Sequence, residues 1–257
     1  MDSINSQDCS TEPVYAAIDL GSNSFHLAIG KVHHHELRWV ERRSEKVQLA
    51  AGINAENCLD AEVMERAILC LQQFQQRITH IPTHHIRIVG TKALRSAKNA
   101  NILLAQIEQL FGQRAEIISG REEARLIYLG VSHSIPLLDQ TNFVVDIGGG
   151  STEFILGSGF NATNTESLHI GCVTFKQTFF TDGKLSQNRF SEAVTATRQQ
   201  LQLISKTYLE RGWNQAIGSS GSIKAILQAI CGFGIITERI TRSHLEMLIE
   251  HILAAGK

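Results

Sequence analysis

The chain has 257 residues, 43% hydrophobic and 19% charged, which is material for one large or two modest globular domains rather than a disordered chain. Lys and Arg total 24 against 25 Asp and Glu, so nothing global marks a nucleic-acid or membrane binder, and a polyanion would have to be held by a local site. No apolar run approaches the ~20 residues of a bilayer span, and five cysteines (Cys9, Cys58, Cys70, Cys172, Cys231) without a C-x-x-C fit a reducing cytoplasm better than a disulfide framework.

Residues 1–12 are polar and carry no apolar h-region, which reads as a disordered leader and not a signal peptide. Val14–Val32 then reads as strand, small polar turn, strand. The next element is a helix: Asp60 is placed to cap it and Leu59 to staple onto Met64. Val63, Ala67, Cys70, Leu71, Phe74 and Ile78 recur at helical spacing. His85–Gly90 is a short buried strand, with a helix beginning in TKALRSAKNANILLAQIEQLF. Ala115–Gly120 is another strand, and REEARLIYLGV another helix. Strands alternating with helices give an α/β domain. In the second half, FVVDIGGGSTEFILG is a strand–turn–strand, and SLHIGCVTFKQTFF a strand then a helix. RFSEAVTATRQQLQLISKTYLERG is a long amphipathic helix, AIGSSGSIKAILQAI a strand–loop–helix, and SHLEMLIEHILAAGK a final helix.

Two of these segments repeat. Asp146 stands 127 positions after Asp19, about one compact domain, and each opens a glycine-containing turn between two strands. The repeat predicts two related domains, residues 13–135 and 136–257. Glycines in such a turn have two readings: a tight hairpin, or a loop that brings backbone close to a ligand. Three small-residue turns occur: Gly21, Ser22, Asn23 and Ser24; Gly148, Gly149, Gly150, Ser151 and Thr152; and Gly218, Ser219, Ser220 and Gly221. Each can present amides and hydroxyls to an anion, and the third adds a helix N-terminus. Two such loops facing each other would clamp a phosphate chain, with Asp19 and Asp146 turned to a Mg²⁺. Ser119 and Glu122 have capping-box spacing, which leaves Glu123 on another side of its helix. His33, His34 and His35 fall where the return strand should turn and read as a solvated turn. His84 and His85 lead into a strand, Cys172 reads as packing, and Lys92 and Lys98 as solvated surface.

DLGSNSFHLAIG with DIGGGSTEFILG resembles the paired phosphate loops of the acetate kinase–sugar kinase–Hsp70–actin superfamily. VGTKALRSAKN, ISGREEARLIYLGV, VVDIGGGSTE and LHIGCVTF together resemble the exopolyphosphatase / guanosine pentaphosphate phosphohydrolase family, from about Tyr15 to the C-terminus. The resemblance implies two actin-like (ribonuclease H-like) domains with a cleft between them, the second short at its C-terminus with an exposed sheet edge. It also implies release of a terminal phosphate from polyphosphate or guanosine pentaphosphate with Mg²⁺, or Mn²⁺ in its place. Glu123 would direct the attacking water, Glu153 would handle the metal with Asp146, Arg95 would bind substrate, and Gly148 would sit where a side chain would collide with phosphate. No nucleic-acid or membrane partner is expected, and a homodimer is compatible with the chain. A non-catalytic phosphate or alarmone sensor, and an ATP-dependent kinase of the same superfamily, stand as alternatives.

Overall fold

The computed structural model describes residues 12–34, 36–135 and 140–256. Except for Glu12 the expected leader lies outside them, as do His35 and the 136–139 stretch at the expected domain division.

The first sheet has the order β3-β2-β1-β4-β5. Strands β1 (Val14–Leu20), β2 (Phe25–His33) and β3 (Glu36–Glu45) form an antiparallel meander, while β4 (Ile86–Gly90) and the two-residue β5 (Glu116–Ile117) extend it in parallel. The second sheet, β8-β7-β6-β9, repeats that pattern one strand shorter. Here β6 (Asn142–Ile147), β7 (Thr152–Ser158) and β8 (Asn161–Leu168) are the meander and β9 (Gln215–Ser219) pairs in parallel with β6. Two sheets of this connectivity with helices packed on them are the two actin-like domains. The repeat holds residue by residue: Asp19 pairs with His26 across the first hairpin, and Asp146 with Glu153 across the second.

Helix α1 (Ala61–Ile78) starts where its sequence directs. Asp60 Oδ1 accepts from the Val63 amide at 2.7 Å, and Val63, Ala67, Cys70, Leu71, Phe74 and Ile78 are buried. At roughly 1.5–3 kcal/mol for each large side chain, that stripe is a main term in holding α1 on the sheet. It joins Ile18, Leu20, Phe25 and Leu27 of the meander and Leu103 and Ile107 of α3 (Ala100–Phe111) in the largest of the three cores among the described residues.

Several expectations need correction. The helix foreseen after β4 is two, α2 (Lys92–Ser96) and α3, broken at Ala97–Asn99. Asn99 exchanges hydrogen bonds with the Leu59 backbone (2.8 and 2.9 Å), and the Lys98 amide donates to the Asn57 carbonyl at 2.8 Å. The break is therefore tied to the start of α1. Ser119 does cap α4 (Gly120–Ser134), accepting from the Glu122 amide at 3.2 Å. The Glu122 carboxylate, however, is forked by Arg125 (2.7 and 2.8 Å) instead of returning to the cap. No loop separates β9 from α7 (Ser220–Gly232): the chain turns at Ser220, whose φ is 71°. The strand expected in SLHIG occupies residues 161–168 instead, and α5 (Cys172–Phe179) follows. His33 ends β2 against Glu12 and His34 turns with φ 47°, as expected of a turn.

Helix α4, which a division at residue 135 puts with the first half, packs on the second sheet: Ala124 and Tyr128 share a core with Val144 and Ile155. The other face of that sheet carries α6 (Gln187–Arg211), whose Ile204 and Tyr208 lie on Phe154, Leu156 and Leu168. The Tyr208 hydroxyl donates to the Phe154 carbonyl at 2.7 Å. α8 (Arg242–Ala255) follows α7. No helix among the described residues is long and apolar enough to cross a membrane.

Candidate active site

The two hairpin loops touch. A Cβ added to Gly149 would stand 2.9 Å from Asn23 Cβ and 3.0 Å from the Asn23 amide nitrogen, and one on Gly150 would stand 2.8 Å from Ser22 Oγ. Both loops are also tied from behind by their carbonyls. Those of Gly148 and Gly149 accept from the amides of Cys172, Val173 and Thr174 at the start of α5 (2.9–3.2 Å). Those of Ser22 and Asn23 accept from Ala50 and Gln48 (2.9 and 2.8 Å). In a trans peptide the C=O and the following N–H point in opposite directions. The amides of Asn23, Ser24, Gly149 and Gly150 are therefore turned away from these anchors, and among the described residues they donate to no backbone carbonyl. Four free donors on adjacent loops suit an anion. The hairpin and phosphate-loop readings of the glycines are thus compatible: the Gly148 amide closes the turn on the Ser151 carbonyl at 2.9 Å, and the next two amides stay free.

Four carboxylates gather beside the loops. Asp19 and Asp146 sit one residue before the ends of β1 and β6, Glu153 is opposite Asp146, and Glu123 comes from the first turn of α4. Glu153 is 1% exposed. Burial pushes the Asp19 carboxyl up to about 7 and that of Glu153 to about 8, with Glu123 and Asp146 adding repulsion to both. Burial also raises Asp146, opposed by the hydroxyls of Ser219 and Ser220, and raises Glu123, opposed by Arg95. Asp19 Oδ1 is buried without a hydrogen-bond partner. Among the described residues no three His, Cys, Asp or Glu side chains form a ready-made cation cage. An orphaned carboxylate oxygen within an acidic group still fits Mg²⁺, which keeps several waters and takes only one or two protein carboxylates alongside phosphate oxygens.

Arg95 Nη1 donates to Glu123 Oε2 at 3.1 Å and to the Ile118 carbonyl at 2.6 Å. The expected substrate-binding arginine and the expected water-directing glutamate are therefore paired with each other, and the Nε and Nη2 donors of Arg95 make no bond among the described residues. Lys92 is not simply solvated. It is half-buried, its stem lies against Gly150, and burial and Arg95 lower its pKa, whereas Lys98 is exposed. Lys92, Ser22, Gly150, Thr174 and Gln177 line a cavity of about 270 Å³ where the two halves meet, and Gln177 Nε2 bonds the Ala51 carbonyl across that seam at 3.2 Å.

The third loop stands differently from the other two. The Ser220 hydroxyl donates to the Ile147 carbonyl at 2.8 Å, and a Cβ on Gly218 would strike Ile223. Those groups serve Asp146 and the packing of α7, while Gly221 faces open space. Thr152 Oγ1 bonds the Ile170 carbonyl and Ser151 is buried, its hydroxyl beside Glu153. Sequence reasoning missed three neighbours: Ser167, which donates to Glu153; His26, across from Asp19; and His169, whose pKa is lowered by burial with Lys92 and Arg95 near it. The 127-residue offset that aligns Asp19 with Asp146 carries His26 onto Glu153, and this could have flagged it.

The family model of the Ppx/GppA phosphatase family matches residues 28–257. Among solved structures, an exopolyphosphatase-like protein is 28% identical with a TM-score of 0.80, over 86% of this chain and 70% of that one. The Aquifex aeolicus PPX-GPPA enzyme is 25% identical with a TM-score of 0.75, over 95% and 82%. An exopolyphosphatase from Cytophaga hutchinsonii, 24% identical over 94% and 80%, shares the fold with a TM-score of 0.81.

Proposed function

We propose, from the premise that this chain belongs to the Ppx/GppA phosphatase family, that it removes the terminal orthophosphate from inorganic polyphosphate, guanosine pentaphosphate or both. The observation that carries the proposal is the meeting of Glu123, Asp146, Glu153 and Asp19 with two loops whose amides are free.

Each residue has a part in that reading. The amides of Asn23, Ser24, Gly149 and Gly150 donate to oxygens of the substrate's outer phosphates, and the unused donors of Arg95 fork onto another. Binding then draws Arg95 toward phosphate and loosens its hold on Glu123. Glu123 Oε2 is freed to orient a water in line with the terminal phosphorus and to take its proton as the O–P bond forms. The anhydride bond breaks, and the bridging oxygen leaves with the shortened chain. Mg²⁺ would be held by Asp146 and Asp19, with Glu153 on the ion or its waters, and would supply neutralisation of phosphate charge. Placement and charge neutralisation are enough for this chemistry, since phosphoryl transfer asks little covalent work of the protein. The free thiols of Cys58, Cys70, Cys172 and Cys231 support a cytoplasmic setting.

The test is hydrolysis in ¹⁸O-labelled water with Mg²⁺, polyphosphate and guanosine pentaphosphate being supplied separately. One ¹⁸O atom should enter the released orthophosphate and none the shortened product. Binding without phosphate release would favour the sensor, and label-free transfer of phosphate to an added acceptor would favour the kinase.

A further inference from the structure

Glu153 and Glu123 come from different elements, β7 and α4, and something must set their spacing. Ser167 stands where both can be reached. In the β7–β8 register it is directly opposite Glu153, and its hydroxyl donates to Glu153 Oε1 at 2.8 Å. Its other side meets the start of α4. A Cβ added to Gly120, the first residue of that helix, would lie 2.5 Å from Ser167 Cβ and 2.7 Å from its Oγ, with Arg95 Nη2 at 3.6 Å. Gly120 and Glu123 are three residues apart on one helix, so the turn that presents Glu123 rests on Ser167.

We propose that Ser167 is a positioning residue for the hydrolysis: its hydroxyl fixes the carboxylate of Glu153 while its backbone and Cβ seat the first turn of α4, so that one side chain sets Glu153 and Glu123 relative to each other. This rests on the hydrolase reading above. Glu153 is nearly fully buried with the Ser151 hydroxyl as its other polar neighbour, and the bond from Ser167 across the β7–β8 pair is the one that keeps its carboxylate from rotating away from the position that a metal or its waters require. The serine is small because Gly120 leaves no room for more, and hydroxylated because the carboxylate opposite it needs a donor.

The experiment compares phosphate release by wild type, Ser167→Ala and Ser167→Cys, the cysteine keeping the shape of serine with a weaker donor. Both substitutions should lower kcat roughly tenfold to a hundredfold, the range of a lost hydrogen bond to a charged group, with KM within about twofold and the melting temperature nearly unchanged. A kcat within twofold of wild type in Ser167→Ala would overturn the assignment. So would a fall in kcat accompanied by a raised KM and a lowered melting temperature, the signature of a merely structural residue. The two readings fail separately: unchanged Ser167→Ala beside an active wild type removes only the role of Ser167, while an inactive wild type removes the hydrolase reading and this assignment with it.

Discussion

Replacing Arg95 with Met takes from Glu123 the guanidinium that bonds it at 3.1 Å, while keeping most of the aliphatic stem. The two side chains are only 22% and 16% exposed, so solvent screens the pair weakly. At that distance and an effective dielectric of about 20 the Coulomb attraction is about 5 kcal/mol before desolvation is subtracted. A carboxylate beside an arginine is typically held down by roughly one to three pKa units. With Arg95 gone, burial and the charge of Asp146, which already push Glu123 upward, act unopposed. Glu123 must be ionised to accept a proton, so the acid limb of the kcat/KM profile should move to higher pH by about one unit or more. At neutral pH activity should fall roughly a hundredfold or beyond, because a phosphate ligand is lost as well. The assay is phosphate release from pH 5.5 to 9.5 for wild type, Arg95→Met and Arg95→Lys, the lysine restoring the acid limb in part without the fork. An acid limb that stays in place, or moves to lower pH, would refute the coupling of Arg95 to Glu123.

Three further outcomes are expected. Gly149→Ala places a methyl 3.0 Å from the Asn23 amide nitrogen and should part the loops, costing roughly a hundredfold in kcat/KM with little change in melting temperature; near-normal kinetics would show that loop contact is dispensable. Gly157→Ala drives a methyl to within 2.6 Å of Tyr128 Oη and should destabilise the packing of α4 on the second sheet by about 1–3 kcal/mol in denaturant titrations, an unchanged midpoint arguing against that packing. Asp19 and Glu153 keep their protons up to about 7 and 8, whereas the unfolded chain releases them near ordinary carboxylate values. The folded form thus binds more protons between about pH 4 and pH 8, and without divalent ions the melting temperature should fall as pH rises through that window. Mg²⁺ should shrink the fall, and a metal-insensitive rise with pH would contradict the assigned burial.

What could be read from the sequence was what short range determines. Asp60 caps α1 because its partner amide is three residues away, and the repeated Asp-x-Gly turns announced two related sheets because each is one contiguous motif. Elements set by distant contacts were not legible. The α2–α3 break depends on Asn99 finding the Leu59 backbone, forty residues back. Strand β3 lies on the sheet edge with no buried residue, and ELRWVERRSE has apolar residues only at Leu37, Trp39 and Val40, too few for an alternation sustained along its ten residues to reveal it. The same limit applies at the site. Asp146 and Glu153 could be named from their motif, but that Ser167 faces Glu153 follows from the β7–β8 register. That Arg95 pairs with Glu123 follows from the way α2 and α4 approach.

In the proposed reaction, carboxylates and loops from both halves act as one hydrolytic site with Glu123 as the group that directs water. The decisive assay is Mg²⁺-dependent orthophosphate release by wild type and Glu123→Gln, from polyphosphate and from guanosine pentaphosphate. Wild type should release phosphate from at least one of the two, and a folded Glu123→Gln should be slower by three orders of magnitude or more, on the order of 4 kcal/mol. Comparable turnover by the two proteins, or none by a folded wild type, would contradict that reaction.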